Sequence, residues 1–152
     1  MLEIKKNQEL RVYNVLSYRG KVNQSELENI GKEMEDYIQN VGAKRAGNLV
    51  TATYAIENDI IDLELLMPID TSIESTDKFV FKNQIKIVNA VVASYKGHPM
   101  GLQEACKQLN QYIMEHSLQP ITAGYNVTKK TDMLNLENTE VDIYVGISPN
   151  TL

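Results

Sequence analysis

Two carboxylates stand on one face of a strand-like run. Ile61-Asp62-Leu63-Glu64-Leu65 alternates apolar and acidic residues, so Asp62 and Glu64 point one way with Leu66. Ile61, Leu63, Leu65 and Met67 point the other way and form the face expected to pack on a helix. Carboxylates on the non-core face either stay solvated or meet a ligand, and a carboxylate beside apolar walls attracts a cation strongly once water is excluded. A second run, Val141-Asp142-Ile143-Tyr144-Val145, puts Asp142 and Tyr144 in matching places. Tyr144 offers a ring and a hydroxyl, suited to an amphipathic ligand or a protein partner, or to covering the sheet.

Other chemistry finds less support. Two histidines and one cysteine without short ligand spacing argue against a structural zinc site, and no metal or cofactor is expected. Phosphate loop, dinucleotide fingerprint and nucleophile elbow are all missing from the sequence. His98 reads as a loop histidine, with anion capture near Gly101 as the alternative. Tyr37, Tyr112 and Cys106 fall on aliphatic helix stripes and read as packing residues. The formal charge of −5 without a basic stripe argues against nucleic-acid binding. A lone cysteine, no apolar leader and no stretch of membrane-spanning length lead to the expectation of a cytoplasmic protein without membrane contact.

The elements that must position these residues occur twice. Tyr18-Arg19-Gly20 and Tyr95-Lys96-Gly97 each end an apolar strand and precede an amphipathic helix. Gly47 and Gly124 repeat the 77-residue offset that separates Gly20 from Gly97. The first strand is expected over 10–18. The first helix follows, capped by Asn23 or Ser25 and closed at Gly42, with Leu27, Ile30, Met34, Tyr37, Ile38 and Val41 as its stripe. Strands are then expected at 49–56 and 60–68, and a polar linker at 69–78. The second half adds a strand at 85–95, a helix at 102–118 barred from continuing by Pro120, and strands at 121–127 and 140–147. The expectation is an α+β protein of two βαββ repeats forming a curved antiparallel sheet, with two helices on one face and a groove on the other. Repeat one covers 1–70, a linker 71–78, and repeat two 79–152, all within a single domain.

Taken together, Tyr95-Lys96-Gly97, Leu109-x-x-Tyr112-Ile113, Gly124-Tyr125, the final Val141–Val145 run and Glu64-Leu65-Leu66-Met67-Pro68 resemble the GyrI-like family. These are the effector-binding domains, built of SHS2-type repeats, of multidrug-responsive regulators. The resemblance implies non-catalytic capture of a small amphipathic, cationic molecule in a groove between two pseudo-symmetric lobes. It makes Glu64 the charge partner, with Asp62 beside it and Tyr54, Tyr125 and Tyr144 as aromatic walls that add cation–π contacts. The family's hydrolytic members imply an alternative in which Glu64 and a tyrosine form an acid–base pair. The chain is also similar to stand-alone Gram-positive proteins associated with type VII secretion loci. That likeness implies a cytosolic targeting chaperone whose partner is a secreted toxin or effector.

Overall fold

The computed structural model describes residues 2–132 and 134–150. Six antiparallel strands and two α-helices follow in the order β1 (Leu2–Val22), α1 (Gln24–Asn40), β2 (Val50–Glu57), β3 (Ile60–Pro68), β4 (Val80–Lys96), α2 (Leu102–Glu115), β5 (Pro120–Lys130) and β6 (Glu140–Ile147). The α+β class expected from the sequence is therefore what the chain adopts. Single turns of 3-10 helix, Pro99–Gly101 and Leu136–Asn138, precede α2 and β6. The chain divides into two compact units, one of residues 11–85 and one of residues 1–10 with 86–152.

In the 11–85 unit β3 is the central strand. It pairs with β1 from Val15↔Pro68 to Val22↔Ile61 and with β2 from Val50↔Leu66 to Glu57↔Ile60, antiparallel on both sides. The alternation in β3 then decides what each face meets. Leu63, Leu65 and Met67 pack with Leu16 and Val22 against Ile30, Met34 and Ile38 of α1. Burial of side chains this size contributes about 1.5–3 kcal/mol each. On the other face, which carries Glu64, Val15, Ser17, Val50, Ala52 and Leu66 are also buried.

In the second unit β6 is central, paired with β4 and β5. Val141, Ile143 and Val145 pack on Ala105, Leu109 and Ile113 of α2, with Leu2 and Ile4 at the margin. Cys106 sits half-buried at the same margin, where burial raises its thiol pKa. The Tyr-basic-Gly corners are close approaches of ring to backbone. A Cβ at Gly20 would run into the Tyr18 hydroxyl, and one at Gly101 into the Tyr95 hydroxyl, which donates to the His98 carbonyl at 2.6 Å.

Several boundaries differ from the sequence reading, among them the end of β1 at Val22 rather than 18 and of β5 at Lys130 rather than 127. Strand β1 starts at Leu2 rather than Leu10, because Leu2 and Ile4 find apolar partners that the intervening Glu3, Lys5 and Lys6 conceal in the sequence. The left-handed residues Asn7 (φ 57°) and Asn14 (φ 54°) interrupt its regularity, a conformation asparagine tolerates better than most residues. Strand β4 is continuous from Val80, and α2 stops at Glu115 rather than 118.

Helix α1 begins as expected, with Asn23 accepting from the Glu26 N–H. It closes with Gly42 at φ 80°, the Gly42 N–H donating to the Gln39 carbonyl and the Ala43 N–H to Ile38. Helix α2 closes with the same two bonds, Ser117 to Met114 and Leu118 to Ile113, but with a serine at φ 54° in the left-handed position. Ser117→Gly relieves that strain and is expected to raise stability by about 0.5–1 kcal/mol. Urea unfolding checks it, with an unchanged denaturant slope.

Candidate functional site

Glu64 lies mid-strand in β3, opposite Arg19 of β1 and Ala52 of β2. It is 7% exposed, the one acidic residue among the buried positions described. A carboxylate so placed needs charge and hydrogen-bond partners, since an isolated one is costly to bury. Lys82, near the start of β4, supplies the charge with its Nζ 2.7 Å from Oε2. The Tyr54 hydroxyl donates to Oε1 at 3.2 Å. Tyr54 reaches it because the β2–β3 register slips between Thr53 and Ala55, leaving Tyr54 as the extra residue of a bulge. Bulges re-aim a side chain in just this way.

The chain also places a cation on the tyrosine. The Arg19 guanidinium lies 3.7 Å from the centre of the Tyr54 ring. It is anchored there by Asp62, which accepts from Nε at 3.1 Å and from Nη2 at 3.2 Å. These bonds hold the Asp62 carboxyl below its usual range and raise the guanidinium pKa. The depressed group stabilises the fold above the ordinary carboxylate range, and that contribution is lost as pH falls through its folded value. Lys21, Ala55, Glu57, Asn58, Ile60 and Asp62 line a cleft of about 270 Å³; Glu64 is not part of its wall.

Of the residues singled out in the sequence, Glu64, Asp62 and Tyr54 are thus brought together within the 11–85 unit. Tyr125 and Tyr144 belong to the other unit, where they stand directly opposite each other on β5 and β6. Asp142 on the same face is 3.8 Å from the Lys129 ammonium. Burial first, and the Asp142 charge second, push the Tyr144 phenol above its ordinary value. Neither Arg19 nor Lys82 stands out as a site residue in the sequence. Arg19 carries a signal in the Tyr-basic-Gly corner, but its partner is set by the β1–β3 register, and Lys82 follows the polar linker with no periodic sign of its partner. Among the described residues no cluster of three or more metal-ligating side chains occurs, and no helix is long and apolar enough to cross a membrane.

Comparison with solved structures identifies the fold. The C-terminal domain of EcmrR superposes with a TM-score of 0.77 at 16% identity, covering 97% of each chain. EcmrR in its complex with DNA superposes with a TM-score of 0.78 at 16% identity, covering 97% of this chain. This chain spans only 57% of the length of that one. A hydrolase from Listeria innocua superposes with a TM-score of 0.60 at 12% identity, covering 97% of this chain and 91% of that one. The fold is thus GyrI-like, as the sequence resemblance implied. No protein-family model and no curated protein matches the chain.

Two outcomes follow from the geometry. Lys82→Met strips the cation from a buried carboxylate and is expected to cost about 1–3 kcal/mol, most of it recovered when Glu64→Gln is added; a double-mutant cycle by urea unfolding measures this. For Tyr144, a raised folded pKa means stability is whole below the unfolded value near 10.0 and falls as pH rises through the folded one. Tyr144→Phe is expected to flatten this alkaline loss in melting temperatures taken between about pH 9 and 11.

Proposed function

We propose that this chain, as a domain of two βαββ repeats, is a binding protein for a small amphipathic cation, received by Glu64 with Tyr54 beside it. The observation that carries the reading is the burial of Glu64 on the face it shares with buried Val50, Ala52 and Leu66, with both of its oxygens engaged. A charge kept there at the expense of apolar packing serves no purpose in the α1 core on the opposite face of β3. It does suit a ligand cation, because attraction in a water-poor setting is strong. Asp62 steadies the site by holding Arg19 over the ring. Tyr125 and Tyr144, paired across β5 and β6, supply aromatic surface for the same kind of ligand.

Titration with ethidium, a monocationic aromatic fluorophore, tests the assignment. Glu64→Gln is expected to weaken binding by about tenfold or more, and an unchanged dissociation constant would remove Glu64 from the site.

One observation favours a second reading. The Tyr54 hydroxyl and the Glu64 carboxylate meet at 3.2 Å, as an acid–base pair requires, and a hydrolase shares the fold. In that case Tyr54→Phe abolishes turnover of an activated aryl ester while leaving ethidium affinity within about threefold. Equal turnover by the two proteins, or none by either, dismisses it.

A further inference from the structure

We infer that Lys82 is a tethered competitor for the ligand's cation: its ammonium closes the Glu64 site, and a bound molecule takes its place. This rests on the assignment of Glu64 as the cation acceptor and adds how that acceptor is regulated and which cations it admits.

Both contacts that would hold an aromatic cation are already made by cations of the chain itself. Lys82 Nζ is 2.7 Å from Glu64 Oε2, and the Arg19 guanidinium lies 3.7 Å from the Tyr54 ring centre. The two differ in what else holds them. Arg19 has Asp62 as a bidentate anchor and stays on its anion whatever reaches Glu64. Among the described residues, Lys82 forms an ion pair with Glu64 alone. Its side chain is 39% exposed, against 10% for that of Glu64. The ammonium can therefore swing into water on its flexible stem, while the carboxylate, fixed mid-strand, cannot follow it.

A tethered group competes at an effective concentration of about millimolar or higher. A small primary amine offers Glu64 nothing that Lys82 does not, and loses to it. A delocalised, weakly hydrated cation on an aromatic frame adds apolar contact and wins. The closed state also lowers apparent affinity in proportion to the fraction of molecules in which Lys82 is docked. Lys82 thus sets both a threshold and a preference for lipophilic over hydrophilic cations.

Ethidium titrations of the wild type, Lys82→Met and Lys82→Arg decide the matter, each at about 0.15 M and 1 M salt. Removing the competitor is expected to tighten binding about fivefold or more. The gain should persist at 1 M salt, where screening within about 3 Å suppresses general repulsion between the lysine and the dye. Lys82→Arg, which keeps a cation at the carboxylate, should stay within about twofold of the wild type. Equal or weaker binding by Lys82→Met, or a gain that disappears at 1 M salt, overturns the competitor while leaving Glu64 as acceptor. Failure of all three proteins to bind ethidium removes the acceptor and the competitor together.

Discussion

A buried carboxylate must have a cation, and much of the 11–85 unit can be understood from how that demand is met at Glu64. The strand that carries it is otherwise built for burial: Leu63, Leu65 and Met67 on one face, Leu66 on the other. A charge inserted there would ordinarily neutralise or unfold its surroundings. Instead a lysine arrives from β4, a bulge in β2 turns a tyrosine toward one oxygen, and a small residue, Ala52, stands beside it in register. Each feature costs regularity somewhere, in the β2 ladder or in the apolar face, and each serves the same atoms.

The neighbouring Arg19–Asp62 pair follows the same logic at the surface. An exposed ion pair contributes little by itself. Stacked on Tyr54 it gains a second function, because the guanidinium and the carboxylate fix a ring whose hydroxyl must reach Glu64. Four side chains, Asp62, Arg19, Tyr54 and Glu64, then form a chain of contacts closed by Lys82. In the other unit the central strand β6 carries Tyr144, whose pKa is raised by burial and then by the Asp142 charge.

The scaffold was legible in the sequence for local reasons. The stripes of α1 and α2, the Asn23 cap, the Gly42 closure and the alternation in β3 and β6 depend on near neighbours, and the structure shows them, except that Val41, counted in the α1 stripe, caps the helix and is exposed. The beginning of β1 was hidden by its charges, since Leu2 and Ile4 earn their strand only through distant partners. The true end of α2 was hidden because a serine occupies the turn where glycine is the usual signal. For the site, Glu64 and Asp62 could be picked out from alternation, but the partners could not. A one-residue register slip brings in Tyr54, and Lys82 comes from 18 residues away across the polar linker. Contacts that depend on register and long-range return leave no periodic trace.

On the competitor model, the Glu64 carboxylate holds Lys82 in the free protein and releases it to a ligand cation. Nuclear magnetic resonance of the lysine side-chain amino groups reports this directly. One amino signal is expected to be protected from solvent exchange, lost in Glu64→Gln, and released when an aromatic monocation saturates the wild type. A Lys82 signal that stays protected at saturation, or that is never protected, would contradict it.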